Sequence, residues 1–213
     1  MDLFDALADF RKLQIGSESW VLREFALSHE MALLEALNQI LAEAPLHAMT
    51  TPGGQKMSVR TSSCGALGWV SDRHGYRYET TDPVSGKPWP RMPDIFSSLA
   101  QHAANAAGFS DFQPDACLIN RYEPGAKMGL HQDKDEQDFS QPIVSVSLGI
   151  PAIFLFGGLK RQDRALRLTL THGDVVVWGG VDRLRFHGIL PIKANRHPTL
   201  ANQRVNLTFR KAG

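Results

Sequence analysis

The chain has 213 residues and a mass of 23.6 kDa, the size of one domain. Apolar residues at 43% and charged residues at 21% exclude a disordered, collagenous or coiled-coil chain. The balance of 23 Lys and Arg against 22 Asp and Glu excludes a histone-like coat of positive charge, though a local basic strip can still touch phosphates. Cys64 and Cys117 form no CxxC motif and fit a reducing compartment. The start, Met1-Asp2-Leu3-Phe4-Asp5, lacks the positive charge of a signal peptide, and no apolar run approaches the ~18 residues of a spanning helix. The expectation is a cytoplasmic protein with no membrane attachment.

Residues 1–27 read as an irregular leader with one short strand, Ser19 to Leu22. Ser28 offers an N-cap, after which Leu33, Leu34, Leu37, Ile40, Leu41 and Ala44 recur at helical spacing until Pro45. A second helix is predicted over 94–107, with Ile95, Phe96, Leu99, Ala103 and Ala106 on one face and Gly108 as the stop. Between the helices, residues 46–93 are rich in Gly, Pro and Ser, show little periodicity and read as a long functional loop region. From about residue 115 short β-type segments follow one another, over 116–122, 143–148, 152–156, 167–171, 174–178, 184–187 and 204–209. Turn signals such as Glu123-Pro124-Gly125 and Gly157-Gly158 separate them. Ile143, Ser145 and Ser147 alternate with Val144, Val146 and Leu148, as in a half-buried strand. Helices followed by many short strands predict an α+β chain with a sandwich, barrel or jelly-roll core.

Two H-x-D pairs occur. His172-Gly173-Asp174 lies between two predicted strands and reads as a tight hairpin turn. His131-Gln132-Asp133 has His187 downstream at the end of a predicted strand, and two His with one carboxylate are the ligand set of non-haem Fe(II) oxygenases. In the last predicted strand Arg204, Asn206, Thr208 and Arg210 share the face opposite Val205, Leu207 and Phe209. Two inward-facing arginines need carboxylate or phosphate partners, and a small dicarboxylate would satisfy both. The same pattern also fits a solvent-exposed face.

The stretches Pro114 to Tyr122, His131-Gln132-Asp133-Lys134-Asp135-Glu136, His172 to Gly180 and Arg204 to Arg210, together with Thr51-Pro52-Gly53-Gly54 and Gly68-Trp69, resemble the AlkB family of alkylation-repair dioxygenases. The likeness covers nearly the whole chain. It implies one Fe(II)/2-oxoglutarate dioxygenase domain over 1–213. Its double-stranded β-helix (jelly-roll) core would span about 115–213, after N-terminal helices and a nucleotide-recognition lid over about 46–93.

The resemblance further implies Fe(II) on the catalytic set His131, Asp133 and His187, with O2 as a co-substrate. The co-substrate 2-oxoglutarate would lie with its two carboxylates on Arg204 and Arg210, in a pocket completed by Asn120, Tyr122 and Asn206. The family removes N-methyl groups from bases such as 1-methyladenine and 3-methylcytosine. Oxidation of the methyl group gives a hemiaminal that releases formaldehyde, while 2-oxoglutarate and O2 become succinate and CO2. The implied partner is single-stranded or flipped-base DNA, with RNA as a further substrate, and the implied working unit is a monomer.

A methyl group on the Watson–Crick edge is reachable only in an unpaired or flipped base. Trp69 matches the family's stacking residue, with His131 on the other face of the base and Asp135 complementing its positive charge. Taken alone, Trp69 reads as a core tryptophan. Lys127, Lys134 and Arg161 are candidate phosphate contacts, and Thr51, Met57, Ser58 and Tyr76 lie in the loop region expected to form the lid. Gly129 departs from the polar residue frequent among relatives and offers no side chain for a backbone contact there. Two other readings stay open: the same chemistry on a methylated protein or small molecule, and a non-catalytic jelly-roll binding module.

Overall fold

The computed structural model describes residues 11–213; the start of the predicted leader, 1–10, lies outside the described residues. The rest of that leader is not irregular. Lys12–Gly16 (β1) and Ser19–Leu22 (β2) pair antiparallel as a hairpin at one edge of the larger sheet. β1 alternates Leu13 and Ile15 with Lys12 and Gln14, but only over five residues and largely exposed, so only the β2 half is legible in the sequence.

A 3-10 turn, Leu27–His29, leads into helix α1 (Glu30–Glu43). Ser28 lies within that turn and does not cap the helix, whose N-cap position is taken by His29 without a side-chain bond. α1 buries Leu33, Leu34, Leu37 and Ile40, and helix α2 (Asp94–Ala106) buries Phe96, Leu99, Ala100 and Ala103. Ala106 faces solvent instead of the core. Gly108 takes the positive φ, +95°, that ends the second helix.

Residues 46–93 depart most from expectation. They hold two hairpins: His47–Thr50 (β3) with Lys56–Gly65 (β4), and Gly68–Asp72 (β5) with Gly75–Glu79 (β6). β4 runs ten residues and joins the larger sheet beside Ala116–Tyr122 (β7). Its buried positions include Thr61, Ser62 and Ser63, so burial here leaves no apolar alternation in the sequence.

The remaining strands are Met128–His131 (β8), Ile143–Gly149 (β9), Ala152–Phe156 (β10), Leu166–Leu170 (β11), Val175–Trp178 (β12), His187–Ile189 (β13) and Arg204–Arg210 (β14). β8 was not foreseen, and β13 starts three residues later than the predicted segment over 184–187. The larger sheet runs β1-β2-β12-β9-β14-β7-β4-β3 and the smaller β11-β10-β13-β8. Every pairing is antiparallel. The two facing sheets make the expected jelly roll.

Both faces of the larger sheet are covered, which is why β9 and β14 are buried at all seven positions rather than at alternate ones. Val144, Val146, Leu148, Val205, Leu207 and Phe209 pack against α1 and α2. The opposite face, with Ser145, Ser147, Arg204, Asn206, Thr208 and Arg210, turns into the jelly roll and is buried as well. The solvent-exposed alternative for the arginine face is therefore excluded.

The His172-Gly173-Asp174 turn joins β11 to β12, which lie in different sheets. It is a turn with Gly173 at φ +86°, as expected, but a crossover between sheets and not a hairpin. Gly149, at φ +87°, ends β9 where an added Cβ would collide with the Gln203 carbonyl oxygen. Gly149→Ala is expected to cost about 2–3 kcal/mol and to lower the melting temperature by about 5–10 °C. An unchanged melting curve would contradict that backbone placement.

Candidate active site

A cavity of about 710 Å³ lies inside the jelly roll, and every site residue expected from sequence lines it. His131 ends β8 and His187 opens β13. These strands pair with the two histidines directly opposite each other, their ring centroids 4.4 Å apart. Asp133 follows in extended chain, with Oδ1 3.5 Å from His131 Nε2 and Oδ2 3.7 Å from His187 Nε2. One ligand atom from each of the three lies within 4.8 Å of the others.

The hydrogen bonds fix which nitrogens face inward. Nδ1–H of His131 donates to the Gly129 carbonyl oxygen at 2.9 Å, and Nδ1–H of His187 donates to the Arg185 carbonyl oxygen at 3.1 Å. A carbonyl can only accept, so Nδ1 carries a proton in both rings and Nε2, turned toward Asp133, is the nitrogen left to hold a metal. Burial and the neighbouring His131 push the His187 pKa down to about 4, so its lone pair is free at neutral pH. Burial alone would raise the Asp133 carboxyl, but the Arg210 guanidinium and the two imidazoles hold it well below the usual carboxylate range. The three side chains therefore present two imidazole nitrogens and one anionic oxygen, the donor set of a divalent cation with open coordination positions.

The two arginines of β14 differ in what they hold. Arg210 donates to Asp133 Oδ2 at 2.6 and 3.0 Å and lies 3.2 Å from Glu136 Oε1. Arg204 gives one bond, from Nη2 to Ser147 Oγ at 3.0 Å, and its guanidinium lies 5.0 Å from the centre of the Tyr122 ring. Its Nε and Nη1 are buried without a partner, as is Asn120 Oδ1 on the facing strand β7. Unpaired buried donors on a cation are costly and mark a place shaped for an acceptor. Asn206 donates to Ser145 Oγ at 2.8 Å and to the Val146 carbonyl oxygen at 2.9 Å, and accepts from the Thr208 hydroxyl at 2.8 Å.

At the mouth, the β5–β6 hairpin supplies Trp69 and Tyr76, stacked at 5.5 Å with ring planes 12° apart. Trp69 is half-buried, so the core-tryptophan reading fails. Its Nε1–H donates to Asp135 Oδ2 at 2.8 Å. One face of the indole is thus covered by Tyr76, and Asp135 orients the ring as well as facing the cavity. Met57 and Ser58 lie on β4, Thr51 in the β3–β4 turn, Lys127 before β8, Lys134 after Asp133 and Arg161 between β10 and β11. Arg161 lies over the Phe186 ring at 5.1 Å. Gly129 faces open space, so the missing side chain leaves the backbone path undisturbed.

Sequence reasoning missed Glu136 and Tyr78. The buried Glu136 accepts from the Tyr78 hydroxyl at 2.7 Å and pairs with Arg183 at 3.1 Å, tying the hairpin to the core. A third acid beside Asp133 and Asp135 was the available signal. Arg183, also buried, donates from Nη1 to the Asp133 carbonyl oxygen at 2.8 Å.

A second metal-capable group occurs among the described residues, Glu30 with His172 and His197. Here the tautomer is reversed. His172 Nδ1 accepts from the Gly149 N–H at 2.9 Å, and His197 Nδ1 accepts from the N–H groups of Thr199 and Leu200 at 3.3 Å. Each Nε2 therefore carries the proton, and that of His172 lies 3.3 Å from Glu30 Oε1. A metal there would displace a proton that the other nitrogen cannot take up. His172→Ala is accordingly expected to leave metal content at about one ion per chain, since the reversed tautomer offers no ligand. Atomic absorption of the reconstituted variant checks this, and loss of the ion would revive the rival pair.

A model of the 2OG-Fe(II) oxygenase superfamily matches residues 20–210. The chain is 55% identical over 213 residues to the alpha-ketoglutarate-dependent dioxygenase AlkB of Escherichia coli (strain K12), covering 99% of both. It is 32% identical over 129 residues to the nucleic acid dioxygenase ALKBH1 of Homo sapiens, matching 61% of this chain and 33% of that one. The solved structure of OsALKBH1 superposes with a TM-score of 0.80 at 29% identity, over 94% of this chain and 99% of that one.

Proposed function

The chain belongs to the 2OG-Fe(II) oxygenase superfamily, and from that premise we propose that it is an oxidative demethylase of N-alkylated nucleobases that repairs DNA alkylation damage. The observation that carries this reading is one cavity with three parts: the inward-facing His131, Asp133 and His187, the unpaired donors of Arg204, and the stacked Trp69–Tyr76 pair. A similar relative carries "nucleic acid dioxygenase" in its name, which supports the substrate class.

In this reading His131, Asp133 and His187 hold Fe(II), which fits the donor set and its tautomers. Bound iron supplies the activation of O2 that couples decarboxylation of 2-oxoglutarate to hydroxylation of the substrate methyl group. Arg204 receives one carboxylate of 2-oxoglutarate in a bidentate fork, flanked by Asn120, Tyr122 and Asn206. Arg210 keeps Asp133 ionised and oriented while receiving the other carboxylate.

The free face of Trp69 stacks a flipped or single-stranded base, and a cationic 1-methyladenine or 3-methylcytosine is favoured there by the indole and by Asp135. Tyr76 backs the indole. Lys127, Lys134 and Arg161, with Thr51, Met57 and Ser58, guide the backbone of the strand, and RNA presents the same bases. The hydroxylated methyl leaves as formaldehyde. The cavity is complete within one chain, which supports a monomeric working unit. No helix among the described residues is long and apolar enough to cross a membrane. The free, buried Cys64 and Cys117 support a reducing, cytoplasmic setting.

Mass spectrometry of a single-stranded oligonucleotide carrying 1-methyladenine tests the reading. With protein, Fe(II), 2-oxoglutarate, ascorbate and air, loss of one CH2 is expected, dependent on 2-oxoglutarate. Succinate without loss of CH2 would transfer the chemistry to a methylated protein or small molecule. No succinate from metal-loaded protein would leave a binding module.

A further inference from the structure

A buried carboxylate outside the cavity is tied to one of the metal-facing histidines. Between β12 and β13 the chain makes a short 3-10 turn, Gly180–Asp182. Asp182 is buried among polar groups of the N-terminal hairpin. Its Oδ2 accepts the Glu18 N–H of the β1–β2 turn at 2.7 Å and the hydroxyl of Ser19, the first residue of β2, at 2.9 Å, and its Oδ1 accepts Arg185 Nε–H at 2.5 Å. Glu18 grips the same 3-10 turn from the other side. Its carboxylate accepts the Val181 N–H at 2.6 Å and its carbonyl accepts the Gly179 N–H at 3.2 Å.

Arg185 is held at three points. Besides the Asp182 bond, Nη1 donates to the Gly157 carbonyl oxygen at 2.9 Å, and the guanidinium lies 5.4 Å from the centre of the Phe156 ring. The peptide that joins Arg185 to Phe186 is fixed at both ends. Its N–H donates to the Gly158 carbonyl oxygen at 2.9 Å, and its carbonyl receives Nδ1–H of His187 at 3.1 Å. That last bond sets the tautomer and aim of the His187 ring. His131 has nothing comparable: its carbonyl partner belongs to Gly129, and its side chain is 37% exposed. The two imidazoles thus differ in exposure and in how firmly their carbonyl partners are tied to the rest of the fold.

We propose that Asp182 is a positioning residue for the metal centre, locking Arg185 to the β1–β2 turn so that the Arg185 carbonyl holds His187 with Nε2 toward Asp133. The N-terminal hairpin then braces the site from outside the jelly roll. The proposal rests on the metal reading of His131, Asp133 and His187.

Two variants separate positioning from general stability. Asp182→Asn keeps the shape and removes the charge, whereas Arg185→Met keeps a stem over Phe156 and removes both guanidinium bonds. Metal-free full-length wild type, both variants and His187→Ala are titrated with Co(II), following the visible d–d bands. The temperature is one at which circular dichroism shows each protein folded. Wild type is expected to bind one Co(II) and His187→Ala to lose the band. Asp182→Asn and Arg185→Met are expected to bind about 10-fold more weakly, as removal of outer-shell partners does, with altered band shape. Binding within about twofold of wild type and an unchanged spectrum in both variants would overturn the proposal, whatever their melting temperatures, because an outer-shell partner has a larger effect. Should Asp182→Asn not fold, Arg185→Met carries the same test. Wild type and His187→Ala behaving alike would overturn the metal reading itself, and the proposal with it.

Discussion

Asp133→Ala is expected to abolish turnover and to weaken metal binding by at least about 100-fold, since outer-shell losses alone can reach that figure. Two imidazoles remain, and they lack the anion that offsets the cation's charge. The change also uncovers Arg210, whose Nη2 and Nε lose an acceptor at 2.6 and 3.0 Å. Removing one partner of a buried pair costs about 3–5 kcal/mol when the remaining charge has no other partner. Glu136, 3.2 Å from Arg210 Nε, takes up part of that charge, so a loss of about 2–3 kcal/mol is expected. Melting curves in chelator isolate this second effect, because no metal contributes to either protein. Co(II) titration and succinate release report the first. Metal affinity within about tenfold of wild type would remove Asp133 from the ligand set, a loss too small for a ligand.

What was legible in the sequence depended on whether burial came with apolar alternation. β7, β9, β10 and β14 were visible because they carry valine, leucine, isoleucine and phenylalanine toward a core. β4 was invisible although it lies deep in the larger sheet, because Thr61, Ser62 and Ser63 fill its buried positions. The exposed β1 and the four-residue β8 alternate over too few residues to stand out. The arginine face of β14 illustrates a different limit. Period-2 alternation is identical for a polar face in water and one in an enclosed pocket, and only the neighbours β9 and β7 decide. Among site residues, the H-x-D spacing and the resemblance singled out groups that one cavity gathers. Glu136, Tyr78, Arg183 and Asp182 act through contacts to distant segments, and no local spacing encodes those. The rival His172-Gly173-Asp174 shows the converse: the same spacing, with backbone N–H groups facing Nδ1 where carbonyls face it in His131 and His187.

Arg204→Met is expected to raise the KM for 2-oxoglutarate on the order of 100-fold while leaving Co(II) affinity unchanged. The methionine keeps much of the stem beside Tyr122 and removes the guanidinium. Two charge-assisted bonds to a carboxylate together contribute about 3 kcal/mol, which corresponds to about a 10²-fold change in affinity. Arg204→Lys should recover little of it, since an ammonium keeps the charge but not the fork. Arg210→Met is expected to behave differently, weakening 2-oxoglutarate and Co(II) together, because Arg210 bonds Asp133 whereas Arg204 reaches only Ser147.

The contrast extends to stability. Arg204 is buried with Nε and Nη1 unpaired, and burial pulls its pKa down, so in the absence of 2-oxoglutarate it is a cation held at a loss. Replacing it by an apolar side chain of similar length should raise the melting temperature of the ligand-free protein, whereas Arg210→Met should lower it. Adding 2-oxoglutarate should stabilise wild type and leave Arg204→Met nearly unmoved. A ligand-free Arg204→Met that melts lower than wild type, with its 2-oxoglutarate KM intact, would mean that Arg204 serves the fold rather than the co-substrate.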